Sequence, residues 1–388
     1  MRILVVSPFQ PHPNANHGGA VYLGTFIESL MERTEVAAVH FQHSDDIQAM
    51  PGLRVYSEPR LRNPERNVAQ LMAHRLRLVL DWGLRGLPLE VAKHRSPSFS
   101  KLLKNAVQDF QPDIVMVEFT IMAQYLPALS NTKVVFTDHE NGESLPKQFG
   151  PGNLGRARDK RLWRRYIKHF YPLAHLCQAL NRNDANHLTG LTNSPVHVRP
   201  ALVNIPTEPV DIANSGPILF FFGNYTHHPN PEAACHIAQE VLPRVRKQVP
   251  NAELWLAGPK ATPAVEDLAK IDGVRLFGYI ENLPALMREV RCLVAPVFSG
   301  SGTRIKVAMA MAHGLPIVSN ELGLRGLTPP AQAVASGESA DELASACLKF
   351  LTDLEAATEA GKVARQFIQD SMSGDILVQQ QLDRFKNL

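Results

Sequence analysis

The stretch that most constrains the fold spans residues 292–320 and reads CLVAPVFSGSGTRIKVAMAMAHGLPIVSN. Residues 292–298 are apolar and rich in strand formers, and residues 299–303 supply a glycine-bearing turn. Apolar side chains then recur at helical spacing until Gly314, which we predict at the C′ position that ends the helix. A second strand follows at residues 315–319. A strand, a glycine loop, a helix and another strand in direct succession indicate an α/β protein.

The loop between that strand and that helix is suited to binding phosphate. A helix N-terminus presents unpaired backbone N–H groups and the positive end of the helix dipole, and Gly300 and Gly302 allow close approach of the backbone. Arg304 and Lys306 add two cationic side chains in the first helical turn. The loop matches neither the Walker sequence nor the dinucleotide fingerprint GxGxxG. Spacing alone leaves two interpretations open, a diphosphate cradle and a tight turn with two solvated cations.

Length and composition favour a two-domain enzyme. A chain of 388 residues exceeds the size of about 250–300 residues at which single cores stop growing. The net charge of +3 does not indicate nucleic-acid binding. No apolar stretch approaches the roughly 20 residues of a membrane helix, and Pro8 interrupts the first apolar run. The four cysteines lack CxxC spacing, so we expect a reduced, cytoplasmic protein without a metal site.

Four segments resemble the glycosyltransferases of family 4. Residues 300–327, GSGTRIKVAMAMAHGLPIVSNELGLRGL, resemble the signature of that family's C-terminal domain, in which a glycine loop and a helix precede GxPVV. Residues 221–259 and 274–296 resemble other units of the same domain. Residues 1–19, MRILVVSPFQPHPNANHGG, resemble more weakly the first strand and glycine loop of the N-terminal domain.

The resemblance implies an α/β protein of the GT-B fold, in which two Rossmann-like domains face each other across a cleft. We expect an acceptor-binding domain at residues 1–205, a linker at 206–216 and a nucleotide-sugar-binding domain at 217–365. The last segment, 366–388, is expected to be a helix that crosses back to the first domain, as in family members.

The same resemblance implies an activity. A family-4 enzyme transfers a sugar from a nucleotide-diphosphate sugar to an acceptor hydroxyl, with retention of configuration, without metal and without a further cofactor. Arg304 and Lys306 would then stabilise the leaving diphosphate. The partners would be the donor and a glycan or lipid-linked acceptor, in glycan, glycolipid or cell-envelope polysaccharide synthesis. The residues that the resemblance assigns to the donor are Gly223, Asn224, Gly278, Tyr279, Ile280, Ser301, Gly302, Thr303, Arg304, Lys306 and Met309. Gly18 and Gly19 would bring backbone amides to the acceptor or to the donor phosphates, and the alternative is that they only make the turn.

Polar residues follow the strand predicted at residues 133–137, in the sequence TDHENGES. Ligands of α/β proteins bind at the carboxyl ends of parallel strands. His139 matches in position the family histidine near the donor sugar, and we take Asp138 as a second catalytic candidate, with Glu140 beside it. A capping role for His139 is the alternative.

The sequence departs from the family where two glutamates usually stand with seven residues between them. Counting along the loop places Ser301 and Met309 there. Methionine cannot replace the charge-assisted hydrogen bond that glutamate gives to ribose, a bond that contributes about 1.5–3 kcal/mol. Glu321 is a possible substitute. Two alternatives to an active transferase therefore stay open, a catalytically silent binding or scaffold subunit and a sugar-nucleotide epimerase.

Two basic segments raise the question of membrane contact. Residues 54–105 mix cationic and apolar side chains, a pattern shared by interfacial helices and by solvated helix faces. The helix predicted after Gly155 is more one-sided in charge and predicts peripheral contact with an anionic membrane, at the inner face of the plasma membrane. The side chains that carry this prediction are Arg161, Arg164, Arg165 and Lys168, flanked by Trp163 and Tyr166.

Overall fold

The computed structural model describes residues 1–15, 18–44, 46–60, 68–139, 142, 153–192, 194–299 and 304–388, and only the backbone of 68–71, 73–75, 153 and 154. The chain forms two compact units. The first contains Met1–Leu202 and Leu377–Leu388, and the second contains Val203–Ile376. The structure thus divides the chain after residue 202 and after residue 376, whereas the sequence placed these changes at 205 and 365.

The first unit is built on a seven-stranded parallel sheet with the order β3-β2-β1-β4-β5-β6-β7. Its strands are β1 (Arg2–Ser7), β2 (Glu35–Gln42), β3 (Arg54–Pro59), β4 (Ile114–Glu118), β5 (Val134–Asp138), β6 (Leu176–Ala179) and β7 (Val196–Val198). In the register at the centre, Val5 pairs with both Ala38 and Met116. The strand order reverses between β1 and β4, which is where Rossmann-like sheets place ligands. The central strands are continuous apolar runs because helices cover both faces.

Within its described residues, the chain up to residue 202 forms six α-helices. They are α1 (Gly18–Met31), α2 (Val68–Gly83), α3 (Leu89–Lys93), α4 (Pro97–Phe110), α5 (Asn153–Phe170) and α6 (Arg182–Thr192). Gly18 and Gly19, which the sequence placed in a loop, occupy the first turn of α1. The local sequence determines where helix α4 begins. The Ser96 side chain, at the N-cap, accepts a hydrogen bond from the Phe99 N–H, and Pro97, at the first helical position, has no N–H that would need a partner.

The second unit has a six-stranded parallel sheet with the order β10-β9-β8-β11-β12-β13. Its strands are β8 (Ile218–Phe222), β9 (Glu253–Ala257), β10 (Val274–Phe277), β11 (Cys292–Val294), β12 (Ile317–Ser319) and β13 (Val334–Ser336). Its helices are α7 (Pro229–His236), α8 (Leu242–Arg246), α9 (Pro263–Glu266), α10 (Leu283–Met287), α11 (Ile305–Ala312), α12 (Ala340–Thr352), α13 (Leu354–Met372) and the start of α14 (Gly374–Lys386). The strand orders of the two parallel sheets make both units Rossmann-like, and this confirms the predicted fold class.

The segment after β11 differs in one respect from its prediction. The strand ends at Val294, four residues early, because Pro296 has no N–H for the ladder. The side chain of Asn320 takes over, since its Oδ1 accepts from the Val297 N–H at 2.9 Å and its Nδ2 donates to the Val297 carbonyl at 2.8 Å. Gly314 has φ of +82° directly after the helix end, which confirms the predicted C′ position.

Residues 206–216, predicted as a linker, are packed into the second unit. The Val210 N–H donates to the His313 carbonyl at 2.7 Å, and Arg291 donates to the side chain and carbonyl of Ser215 at 2.7 Å each. Helix α13 also runs unbroken through the boundary expected at 365. Residues from Leu377 onward belong to the first unit, where Gln381 accepts a hydrogen bond from Gln178 at 2.9 Å. Among the described residues, no helix combines the length and apolarity that crossing a bilayer requires.

Candidate functional site

Three glycines follow neighbouring strands in the second unit, Gly223 after β8, Gly258 after β9 and Gly278 after β10. The Gly223 N–H donates to the Ala257 carbonyl at 2.9 Å, and the Gly258 N–H donates to the Gly278 carbonyl at 3.0 Å. A Cβ at Gly258 would lie 2.0 Å from the Gly223 carbonyl oxygen, and the φ of Gly258 is +143°. Glycine is therefore required at Gly258, because the backbones of two loops come into close contact there, at the carboxyl edge where α/β sheets place ligands.

Lys306 reaches the same edge from the first turn of α11. Its Nζ donates to Asn230 Oδ1 at 2.6 Å and lies 4.1 Å from the ring centroid of Phe221. Asn230 Nδ2 in turn donates to the Asn224 carbonyl at 2.8 Å. A Cβ at Gly223 would lie only 3.0 Å from Lys306 Nζ. The structure therefore brings together three predicted donor-binding residues, Gly223, Asn224 and Lys306.

The charge on Lys306 is destabilised in the free protein. Burial of the ammonium group, and then the nearby charge of Arg304, lower the pKa of Lys306 to about 7. Arg304 lies at the N-cap of α11 rather than in its first turn, is buried, and donates from Nε to the Leu322 carbonyl at 3.0 Å. The buried Arg304 and the half-buried Lys306 put two cations at a helix N-terminus, a site that an anion would stabilise.

For the other residues predicted to bind the donor, the structure shows no hydrogen bond to the side chain of Lys306 or Asn230 among the described residues. Tyr279 is 66 % exposed, and Ile280 and Met309 are half-buried. The Met309 carbonyl, rather than its side chain, makes a polar contact, with His313 Nδ1 at 2.8 Å. Ser301, Gly302 and Thr303 lie outside the described residues, so their roles stay predictions. Just before them, Ser299 donates to Glu232 Oε2 at 2.9 Å, and Glu321 is exposed.

In the first unit, a buried ionic network lies at the carboxyl ends of β4, β5 and β7. Glu118 ends β4, and its Oε2 accepts from His139 Nε2 and from Arg199 Nη2, both at 2.6 Å. Its other oxygen accepts from the Thr137 hydroxyl at 3.2 Å. Each of these four side chains is at most 7 % exposed. Three separate strands thus contribute to one hydrogen-bonded cluster.

The network fixes the protonation of its members. Burial alone would raise the pKa of Glu118, but the Arg199 charge and the His139 contacts outweigh it, so this pKa lies below its ordinary value. Burial, with a smaller contribution from the Arg199 charge, lowers the pKa of His139 below its ordinary value although Glu118 opposes this shift. His139 is therefore a neutral imidazole that donates its Nε2–H to an ionised Glu118. The lone pair then resides on His139 Nδ1.

Aromatic side chains hold the His139 ring. Phe119 stacks on it with centroids 3.8 Å apart and 19° between the planes, and Tyr22 contacts it edge-on at 5.3 Å. Phe119 adopts φ of +73°, which is unusual for a bulky residue. A Cβ at Gly19 would lie 3.1 Å from the Phe119 ring. Gly19 and His139 are thus brought to the same aromatic residue, whereas Gly18 is exposed and faces open space.

Two family models match the chain and together take in most of both units. The model described as Glycosyltransferase Family 4 matches residues 17–205. The model described as Glycosyl transferases group 1 matches residues 216–353.

The chain is a glycosyltransferase of the GT-B fold.

Solved structures share the fold of this glycosyltransferase over its whole length. Sucrose-phosphate synthase from Thermosynechococcus elongatus has a TM-score of 0.72 at 16% identity, covering 100% of this chain and 98% of that one. Anabaena HepE in complex with UDP and glucose has a TM-score of 0.65 at 12% identity, covering 100% of both chains. The Escherichia coli trehalose-6-phosphate protein bound with UDP-2-fluoro glucose has a TM-score of 0.66 at 12% identity, covering 100% and 99%. No curated protein matches the chain in sequence.

Asp138 occupies a different environment from the one expected of a catalytic group. It ends β5, is buried, and accepts a hydrogen bond from the Tyr171 hydroxyl. That contact ties its carboxylate to the core of the glycosyltransferase, so a catalytic role for Asp138 stays a prediction. Glu140 lies outside the described residues. Within the described ranges, no three His, Cys, Asp or Glu side chains are grouped so as to hold a metal ion.

Sequence reasoning missed Glu118, Arg199 and Asn230. Glu118 did carry a signal, because it is the one charged residue in the strand IVMVE. A carboxylate that ends an otherwise apolar buried strand must be paired. Arg199 directly follows the short strand VHV and is the buried residue that pairs with Glu118. Asn230 gave no comparable signal, since proline and asparagine are common in loops.

Proposed function

We propose that this glycosyltransferase moves a sugar from a nucleotide-diphosphate sugar to an acceptor hydroxyl, with retention of configuration and with neither a divalent metal nor a further cofactor. The observation that carries the proposal is the contact of Lys306 with Asn230 at 2.6 Å beside Gly223, at the carboxyl edge of the second sheet. HepE, bound to UDP and glucose, has the same fold and supports a nucleotide-sugar donor.

The chemistry of the transfer explains why two cations would stand there. Negative charge grows on the leaving diphosphate as the bond to the sugar breaks, and preorganised donors that meet this charge usually supply the largest catalytic term. Arg304 and Lys306 would supply two positive charges, and the N-terminus of α11 would add backbone N–H groups. The pKa of Lys306, about 7 in the free protein, would rise when a diphosphate binds, because an opposite charge favours the ammonium form.

For the first unit we propose that His139 contacts the transferred sugar, as the resemblance to the family implies. The contact with Glu118 supports this role, since it fixes the tautomer and leaves Nδ1 able to accept a hydrogen bond from a sugar hydroxyl. The stack against Phe119 fixes the ring plane. Such a side chain is preoriented before any ligand binds.

A panel of nucleoside diphosphates and their sugars, screened by thermal shift, tests the proposal. A ligand present at 100 times its dissociation constant stabilises the protein by about 2.7 kcal/mol. We expect one nucleotide to raise the melting temperature, and its sugar to be transferred to an acceptor with the anomeric configuration kept in the product, as read by NMR. Inversion in the product would overturn the retaining mechanism alone.

We also propose that the protein works in glycan, glycolipid or cell-envelope polysaccharide synthesis, in the cytoplasm and as a peripheral protein at the inner face of the plasma membrane. The predicted basic helix supports this in part. Its cations are exposed on α5, whereas Trp163 and Tyr166, expected to flank them at the membrane, are 0 % and 3 % exposed. The exposed cations are Arg156, Arg158, Lys160, Arg161, Arg164, Arg165 and Lys168.

A different helix presents apolar side chains to solvent. The exposed large side chains of α2 and of the turn after it are Met72, Leu76, Val79, Leu80 and Leu84. Their spacing of four, three, one and four residues places them on one face of a helix. Arg158 of α5 donates to the Gly83 carbonyl at 2.7 Å and packs on the Trp82 ring, so the basic helix adjoins the end of α2. Apolar and cationic side chains side by side suit an anionic bilayer.

A further inference from the structure

A cavity of ≈ 140 Å³ lies at the carboxyl ends of the first four strands of the first sheet. Segments that follow β1, β2, β3 and β4 contribute to its wall, and His94 comes from the end of α3. The lining residues are Pro8, Phe9, His43, Arg60, His94, Phe119, Thr120 and Ile121. The cavity therefore combines a guanidinium, two imidazoles and two aromatic rings at the edge where Rossmann-like sheets bind ligands.

Arg60 is positioned in this cavity by a neutral side chain. Its Nη2 lies 2.9 Å from His94 Nε2, and His94 Nδ1 lies 2.9 Å from the Glu90 carbonyl oxygen. A carbonyl only accepts, so Nδ1 carries the proton and Nε2 accepts from Arg60. Burial, and then the Arg60 charge, lower the pKa of His94 to about 3. This contact orients the guanidinium at the cavity wall.

The opposite wall connects the cavity with His139. Phe9 and Phe119 meet edge to face with centroids 4.6 Å apart, and the Phe119 ring stacks on His139 at 3.8 Å. One aromatic ring thus separates the cavity from the histidine that we propose contacts the transferred sugar. His43 Nε2, which donates to the Pro8 carbonyl at 3.2 Å, lies at the same cavity.

We infer that this cavity binds a phosphate group of the acceptor and that Arg60 selects for it. The inference rests on the proposed function, because only a transferase needs an acceptor near His139. A guanidinium matches phosphate oxygens through paired N–H donors, and aromatic walls suit the carbon skeleton beside the phosphate. Soluble sugar phosphates and lipid-linked acceptors share this group, so the chemistry is common to both sources.

Arginine labelling with phenylglyoxal, mapped by mass spectrometry, tests the inference at residue level. The probes are glycerol 3-phosphate with glycerol as its neutral match, and phosphatidylcholine vesicles with and without phosphatidic acid. We expect glycerol 3-phosphate or the vesicles with phosphatidic acid, which carry a phosphate monoester, to protect Arg60. Glycerol, and vesicles of phosphatidylcholine alone, whose phosphate is a zwitterionic diester, should not protect it. Protection by glycerol 3-phosphate indicates a soluble acceptor, and protection only by phosphatidic acid indicates a lipid-linked one. Equal labelling of Arg60 in all four samples, or protection of Arg304 alone, would overturn the inference.

A variant pair gives a second readout. Arg54 begins β3, the strand that Arg60 directly follows, but its side chain is exposed and paired with Asp109 outside the cavity. We expect Arg60→Gln to weaken binding of the protecting probe about tenfold or more, and Arg54→Gln to leave it unchanged. Equal affinities in both variants would contradict the assignment. The inference and the proposed function fail separately, because nucleoside-diphosphate binding reports on the donor and Arg60 protection reports on the cavity.

Discussion

Glu118 Oε2 accepts hydrogen bonds from His139 Nε2 and from Arg199 Nη2, each at 2.6 Å, in the core of the first unit. One carboxylate oxygen therefore accepts hydrogen bonds from two side chains, His139 after β5 and Arg199 after β7. Because Arg199 supplies the countercharge, Glu118 stays ionised although it is fully buried, and His139 stays neutral. The same contact thus links the stability of the first unit to the orientation of a proposed active-site residue.

Removal of the Glu118 charge should destabilise the first unit strongly. Glu118→Gln leaves the buried Arg199 guanidinium without a countercharge, and loss of one partner from a buried ion pair costs about 3–5 kcal/mol. Urea unfolding of Glu118→Gln, Arg199→Met and the double variant measures this. We expect the double variant to lose clearly less stability than the sum of the single variants. Additive losses would show that the two residues act independently.

His139→Ala should reduce sugar transfer far more than it reduces binding of the nucleoside diphosphate alone. The reason is that His139 is proposed to contact the sugar and not the diphosphate, so its loss removes an interaction made during transfer. Transfer kinetics and calorimetry on the same preparation give the two numbers. His169→Ala, which removes an exposed histidine of α5, is the matched control. Equal losses of transfer and of diphosphate binding would assign His139 a structural role.

Diphosphate binding should be accompanied by proton uptake on Lys306. The pKa of this side chain is about 7 in the free protein, so at about pH 8 most molecules carry a neutral amine. A bound diphosphate raises the pKa towards its ordinary value, and the amine then takes up a proton. Calorimetric titrations in two buffers of different ionisation enthalpy reveal this uptake. The idea fails if the enthalpy is the same in both buffers, or if Lys306→Gln shows the same buffer dependence as the wild type.

Binding to anionic vesicles should depend on α5 and α2 in different ways. Arg161→Glu with Arg165→Glu removes two favourable charges, each contributing about 1 kcal/mol, and this contribution should fade as salt screens it. Leu76→Ser with Val79→Ser removes apolar contact, and that loss should persist at high salt. Co-sedimentation with vesicles containing phosphatidylserine measures both.

The matched control for the charge reversals is Lys101→Glu with Lys104→Glu, on the exposed face of α4. It changes net charge by the same amount in the same unit. Vesicle binding that falls equally in the α5 and α4 variants would attribute the attraction to net charge. Absence of any binding at low salt would refute membrane contact and favour a soluble acceptor.

The fold was readable from the sequence because parallel strands are continuous apolar runs and glycine marks helix ends. Residues 292–320 gave the order of four elements, and Gly314 gave the end of α11. The end of β11 was misplaced, because an apolar run does not show where ladder hydrogen bonds stop. Pro296 and the side chain of Asn320 determine where β11 ends. Asn320 contacts Val297, which lies 23 residues earlier in the sequence.

The partners of the candidate site could not be read from the sequence, because each joins distant segments. Glu118 and Arg199 are 81 residues apart, and Lys306 and Asn230 are 76 apart. The orientation of α5 was missed for a physical reason. Trp163 and Tyr166 are three residues apart and so share one helix face, and that face is the one the core requires. The cationic side chains of α5 therefore lie on the opposite face, which is exposed to solvent.

The most direct test of a diphosphate site at Lys306 is calorimetric titration of nucleoside diphosphates into the wild type, Lys306→Gln and Lys270→Gln. Lys270 is an exposed lysine of the second unit, bonded to Asp267 at 2.6 Å, and serves as the control. We expect one nucleoside diphosphate to bind the wild type and Lys270→Gln alike, and to bind Lys306→Gln about tenfold more weakly or worse. Equal affinity in all three proteins, or no binding by any nucleoside diphosphate, would contradict the site.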